Sequence, residues 1–264
     1  MPRFFVSPEQ VKSGRIAIAG PDVRHISRVL RMDAGDIITV LDGNGKAYEA
    51  RIEKVTKEKV WCEVLEQGQA GGEPPIRVTL VQGISKGEKM DLVVQKGTEI
   101  GATAIIPVMC RRSVVKLSSK KAAERRDRWQ RIAVEAAKQC RRSVVPRVAT
   151  PTTWREALDD IPEGAMSLMP YEGETERNMR DVLHLMNPPS ETIIFIGPEG
   201  GIHPEEFEQA QRKGVIPVTL GPRILRTETA GLTALTLVLY QWGDLGGALN
   251  GNKDCGLQYA GVQG

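Results

Sequence analysis

The chain is poor in the residues that build metal centres. Its 264 residues include only four cysteines, Cys62, Cys110, Cys140 and Cys255, and three histidines. No two cysteines form a CxxC pair, so the ligand spacing of a zinc site is missing and no metal is expected. Long apolar runs are missing too. Nothing reaches the roughly 20 apolar residues that a membrane-spanning helix needs. The start, Met1-Pro2-Arg3-Phe4-Phe5, lacks the apolar core of a secretory signal. These absences predict a cytoplasmic protein with no membrane partner, whose thiols stay reduced. Two nucleotide-binding signatures are also absent. The first strand of the α/β region ends in Gln82-Gly83-Ile84-Ser85-Lys86-Gly87, which is not GxGxxG, and GxxxxGK[ST] occurs nowhere.

What is present is an ordinary globular composition, 41% hydrophobic and 26% charged, with unevenly placed charge. The net charge is only +3, yet Arg111–Arg147 holds 13 Lys/Arg against 3 Asp/Glu. A second basic cluster contains Arg24, Arg28 and Arg31. Such concentration suits a polyanion, because each neutralised phosphate releases counterions. A solvated helix face is the plain alternative for either stretch.

Two rhythms divide the chain at Gln67–Pro75, a segment rich in Gly with a closing Pro pair. Before it, short strands are predicted at 36–41, 47–55 and 60–65, the first two joined by Asp42-Gly43-Asn44-Gly45. A helix over 21–31 would place Ile26, Val29 and Leu30 on one face. A small β-barrel fits this pattern. After the segment, strands (76–82, 104–108, 165–169, 192–196, 215–220) alternate with helices (89–100, 120–140, near 179–186, 204–213, 227–242). That alternation predicts an α/β fold with a mostly parallel sheet flanked by helices. The expected division is 1–72, 73–246 and a loose tail, 247–264.

Ligands in such sheets bind beyond the carboxyl ends of the strands. Two predicted strands run there into glycine-bearing turns. One turn is Gly197-Pro198-Glu199-Gly200-Gly201. The other is Gly221-Pro222-Arg223-Ile224-Leu225-Arg226-Thr227-Glu228-Thr229-Ala230, preceded by Leu220. Together they can form a cleft in which backbone groups reach a ligand; ordinary tight β–α turns are the alternative.

These two motifs together closely resemble the signature of the SPOUT-class methyltransferases that act on uridine N3 of 16S rRNA. Lys86–Asp91, Gln95–Gly101, Ala136–Arg142 with Val145-Pro146, and His25–Arg31 agree with the same family, so the resemblance spans about residues 3 to 246. Cys110, before Arg111-Arg112-Ser113, departs from it, since the family often has an acidic residue there. The resemblance implies a PUA-like N-terminal barrel and a C-terminal domain tied in a trefoil knot. It implies S-adenosylmethionine as cofactor, 16S rRNA or the small ribosomal subunit as partner, and a homodimer to which Leu232, Leu235, Leu237, Val238 and Leu239 contribute if they are not core. The cofactor loops would be Leu168-Met169-Pro170, Gly197–Gly201 and Leu220–Ala230, with Leu220, Gly221, Ile224, Leu225, Thr229 and Ala230 in contact.

Arg226 is the expected catalytic group, a guanidinium that holds a base carbonyl or phosphate and favours the uridine anion; phosphate anchoring or a structural salt bridge is the alternative. Glu199 and Glu228 are read first as loop-stabilising carboxylates, with orienting Arg226 or taking a proton as the functional alternative. No dedicated general base stands out. Arg111, Arg112, Arg125, Arg128, Arg131 and Arg142 are expected on RNA, with Trp129 either stacked on a base or in the core. Arg24, Arg28 and Arg31 add phosphate contacts. A non-catalytic RNA-binding protein and an α/β enzyme acting on a small acidic metabolite are the competing readings.

Overall fold

The computed structural model describes residues 1–113 and 117–247. The expected tail beyond 247, with Cys255, lies outside the described residues. Contacts divide the chain into two compact units. The first is Met1–Glu73 with Ala137–Val145, and the second holds Pro74–Ala136 and the chain from Pro146 onward. A single boundary at 72/73 has no place for the returning segment. Side-chain chemistry holds that segment: the Glu73 carboxylate accepts bonds from Ser143 N (2.8 Å), Val144 N (2.9 Å) and Arg142 Nη2 (2.6 Å).

The first unit contains β1 (Arg3–Phe5), β2 (Val11–Lys12), β3 (Arg15–Ala19), α1 (Pro21–Arg24), β4 (Ile37–Leu41), β5 (Lys46–Val55) and β6 (Lys59–Gln69). Its six strands run in the order β1-β4-β5-β6-β3-β2, and two register shifts between β5 and β6 help curl the sheet. The turn between β4 and β5 is closed by Asp42 Oδ1, which accepts from Asn44 N (2.8 Å) and Lys46 N (3.0 Å). Gly43 and Gly45 supply the positive φ it needs (73° and 95°). Inward residues such as Ile16, Ile18, Ile38, Val40 and Ile52 form the core. Because β6 runs to Gln69, the linker is shorter than the composition suggested.

The helix expected over 21–31 is interrupted. After α1 the backbone widens into a π-helical turn, His25–Val29, in which Leu30 N bonds His25 O at 2.9 Å. The wider turn rotates the chain, so Val23 and Ile26 stay buried and Met32 packs against the core. Val29 and Leu30, expected beside Ile26, are instead 67% and 39% exposed.

The second unit alternates as expected. In chain order it contains β7 (Arg77–Gly83), α2 (Lys89–Ile100), β8 (Ala104–Met109), α3 (Ser119–Gln139, whose last turn belongs to the first unit), β9 (Arg147–Val148), β10 (Thr152–Thr153) and α4 (Trp154–Asp159). Then follow β11 (Met166–Pro170), α5 (Met179–Leu185), β12 (Glu191–Ile196), α6 (Pro204–Arg212), β13 (Ile216–Val218) and α7 (Thr227–Trp242). All pairings in this sheet are parallel, in the order β10-β8-β7-β12-β11-β13, with β9 also on β8. Strands buried on both faces read as continuous apolar runs, as in Ile193-Ile194-Phe195-Ile196. From the edge strand β13 the chain crosses back, and α7 packs on β7, β12 and α2. That return brings the start of α7 to the centre of the sheet.

Candidate active-site cleft

The carboxyl ends of β11, β12 and β13 surround a cleft of about 720 Å³. Small-molecule sites typically enclose roughly 300–1,000 Å³, so an adenosine-sized ligand fits. Its walls are the turn after β12, the loop from Thr219 to Thr227, and the loop after β11. Hydrogen bonds lock these walls together. Thr227 Oγ1, at the head of α7, donates to Gly197 O at 2.5 Å and accepts from the buried Gln82 Nε2 at 2.8 Å. Tyr171 N bonds Val218 O at 3.0 Å. The end of β7 and the turn after β12 touch closely: a Cβ on Gly83 would lie 2.5 Å from Pro198 N. Only glycine permits that approach.

Of the expected cofactor residues, Pro170, Gly197, Pro198, Glu199, Gly201, Leu220, Gly221, Ile224, Leu225 and Ala230 line the cleft. Leu168 and Met169 do not: both are fully buried inside β11, and Met169 joins the core around Trp154 and Phe195. Gly200 packs away from the cleft, against the Arg112 backbone, where a Cβ would meet Arg112 O at 2.9 Å. Thr229 lines a neighbouring cavity with Leu92, Leu232 and Leu237. Arg226 is exposed at the N-cap of α7 and lines the cleft. Tyr171, Glu172, Glu174 and Thr175, which the sequence reading passed over, form the rest of one wall. Their signal was position, immediately past the carboxyl end of a predicted strand.

Charge in the cleft is arranged in pairs. Lys89 Nζ stands 3.2 Å from Glu199 Oε1 and 3.6 Å from Glu228 Oε2. Both carboxylates therefore serve Lys89, and among the described residues neither pairs with Arg226. Partial burial pushes the Glu199 carboxyl up. Its own backbone N–H, Lys86 N (3.1 Å) and Lys89 together outweigh that and hold it below the usual range. Arg177 N and Glu176 N likewise hold Glu174 low. None of the three histidines lines the cleft; His203 caps α6, accepting from Glu205 N at 3.3 Å. Among the described residues, no group of three or more His, Cys, Asp or Glu side chains is placed to hold a metal ion, and no helix is long and apolar enough to cross a membrane. Burial raises the Cys62 and Cys110 thiols to about 12.

The expected RNA residues separate into two groups. Arg24, Arg28 and Arg31 are exposed. Arg125 and Arg131 are carried by α3, and Arg125 lies 6.0 Å from the Trp129 ring centre. Others are engaged. Arg142 is only 5% exposed and is ion-paired with Glu73, so it is a structural residue and not a phosphate contact. Arg128 pairs with Asp91, and Trp129 is buried with its Nε1 donating to the same carboxylate at 3.0 Å, which makes it core rather than a stacking platform. Arg111 pairs with Glu205 at 2.6 Å, and Arg112 reaches Gly200 O at 3.3 Å.

Comparison with known proteins agrees with this geometry. Residues 72–239 match the RNA methyltransferase domain model, and residues 18–65 match the RNA methyltransferase PUA domain model. The ribosomal RNA small subunit methyltransferase E of Bacillus subtilis is 37% identical over 248 residues, covering 91% of this chain and 97% of that protein. The protein of the same name from Synechocystis is 33% identical, covering 89% and 76%. The crystal structure of ribosomal RNA small subunit methyltransferase E from Neisseria gonorrhoeae, bound to S-adenosyl methionine, superposes with a TM-score of 0.80 at 39% identity, covering 92% of this chain and 99% of that one. A parallel sheet with a glycine-walled cleft at its carboxyl end, a curled N-terminal sheet and these matches along nearly the whole chain lead to one statement: the chain belongs to the SPOUT-class ribosomal RNA small subunit methyltransferase E family.

Proposed function

We propose that this protein methylates N3 of a uridine in the 16S rRNA of the small ribosomal subunit, using S-adenosylmethionine. The observation that carries the reading is the cleft formed by Gly197–Gly201, Leu220–Ala230 and the loop after β11. Its volume suits the cofactor, Gly197, Gly201 and Gly221 line its walls, and the carboxylates of Glu172, Glu174 and Glu199 complement a cation. When bound, the cofactor supplies a methyl group already activated by its sulfonium. The chain's own residues hold the two reactants and manage charge. Arg226 donates hydrogen bonds to a uracil carbonyl and favours the N3-deprotonated base, the N3 proton leaving to solvent water. Lys89, fixed between Glu199 and Glu228, keeps the cleft mouth ordered. The basic surfaces of α3 and of the first unit hold phosphates while a flipped-out base enters the cleft.

The same reading includes a homodimer. On α7, Leu235, Val238 and Leu239 are core, whereas Leu237 remains exposed and lines a shallow cavity with Leu92 of α2, an apolar face suited to a second copy. It also includes a trefoil knot, for which the return from edge strand β13 to the sheet centre is the supporting feature. The protein works in the cytoplasm, where ribosomal subunits are, and needs no metal. Mapping modified bases in 16S rRNA from cells with and without the gene tests the function. Loss of one N3-methyluridine on deletion is the expected result, and an unchanged map overturns it. Titration calorimetry with S-adenosylmethionine tests the cleft independently.

A further inference from the structure

The π-helical turn of the first unit does something that an α-helix would not. It turns two aliphatic residues, Val29 and Leu30, out of the core and sets them among Arg24, Arg28 and Arg31. Scattered exposed aliphatic residues are common, but here two adjacent ones are exposed within the same short stretch as three exposed arginines. Among the described residues none of these guanidinium groups has an ion-pair partner. Nearby acids are already committed. Asp22 pairs with Lys138 at 3.1 Å, while Asp33 and Asp36 accept backbone bonds in the turn that follows. Arg31 itself holds a left-handed backbone (φ 54°), a conformation that costs energy and gathers at functional positions. π-turns gather there as well.

We infer that this turn is a wedge for an unstacked RNA base: the arginines grip flanking phosphates, and Val29 with Leu30 pack against the face of a base in a loop or bulge. The inference rests on the reading of the chain as an enzyme of RNA and adds which part of the RNA the first unit selects. The chemistry favours an unpaired site over a duplex. A-form RNA keeps its base faces stacked and offers the protein phosphates and 2′-hydroxyls, against which an aliphatic pair gains nothing. A splayed base offers an apolar face.

The test uses the full chain without cofactor and two labelled RNAs of equal charge, a hairpin with a seven-nucleotide loop and a blunt duplex. The wild type should bind the hairpin more tightly. Val29→Ser/Leu30→Ser should lose about ten-fold on the hairpin and nothing on the duplex, with the slope of log affinity against log salt unchanged. Arg24→Gln/Arg28→Gln/Arg31→Gln should weaken both RNAs and reduce that slope by about 2 to 3. All five positions are exposed, and matched melting temperatures check that the variants fold. Equal binding of both RNAs by wild type and the Ser variant overturns the inference and leaves the aliphatic pair to a protein partner. Equal losses on hairpin and duplex overturn it too. Because no methyl transfer is read, a hairpin preference stands even if the modified-base map refutes the proposed reaction.

Discussion

The loop from Leu220 to Ala230 and the helix α3 carry the two strongest chemical signals in the sequence, and the fold treats them oppositely. The loop joins a strand end to a helix and presents nearly all its expected residues to one cleft. The basic stretch gives up much of its charge to partners: Arg128 to Asp91, Arg142 to Glu73, and, before the helix, Arg111 to Glu205. A loop beyond a sheet edge has few neighbours competing for its side chains. A helix must distribute its residues between core, ion pairs and solvent. Residue type alone therefore predicts a site better in the first setting than in the second.

The sharpest way to test the contrast is to remove one arginine from each region. Arg226→Ala should lower kcat by about 100- to 1,000-fold while leaving cofactor affinity intact, measured by single-turnover methyl transfer and calorimetry. Full turnover would remove Arg226 from the chemistry. Arg142→Ala should do the reverse, leaving kcat near wild type at low temperature. It should cost about 2–3 kcal/mol in urea unfolding, below the full cost of breaking a buried pair because Glu73 keeps some solvent contact.

Backbone crowding beneath the cleft offers the next test. Gly83→Ala places a methyl group against Pro198 N, which cannot yield as a flexible side chain can. A loss of about 1–3 kcal/mol in stability is expected, together with weaker cofactor binding. A variant with unchanged affinity would show that the turn after β12 does not need this contact. The smallest effect concerns Glu199. Its folded pKa lies below the ordinary 4.5, so its stabilisation is fully present above that value and is lost as pH falls through the folded value. Melting temperature followed between pH 7 and 3 should fall less steeply for Glu199→Gln, starting from a slightly lower value at pH 7. Parallel curves would rule out this carboxylate as a source of acid sensitivity.

Much of the second unit was legible because its strands are buried on both faces and read as apolar runs, while its longer helices show a 3.6-residue period. The short helix α4 was missed although Thr153-Trp154-Arg155-Glu156 is a capping box, with Glu156 N bonding Thr153 Oγ1 at 3.2 Å. The strands β1, β2 and β3 were missed because two- to five-residue segments leave little periodicity to detect. A regular α-helix over 21–31 would put Val29 and Leu30 on one face with Ile26. One widened turn reverses that, and no composition rule announces it.

The order of residues alone determined the alternation of strands and helices, the strand ends that become turns, and the glycines that let backbones meet. All of these depend on near neighbours in the chain. Tertiary structure decided which arginines keep their charge for a partner and which spend it on Glu73, Asp91 and Glu205. It also decided that Leu168 and Met169 face the core while Tyr171 and Glu174 face the cleft. The reason is physical: a side chain's role is set by the groups that surround it, and residues far away in the sequence supply most of those.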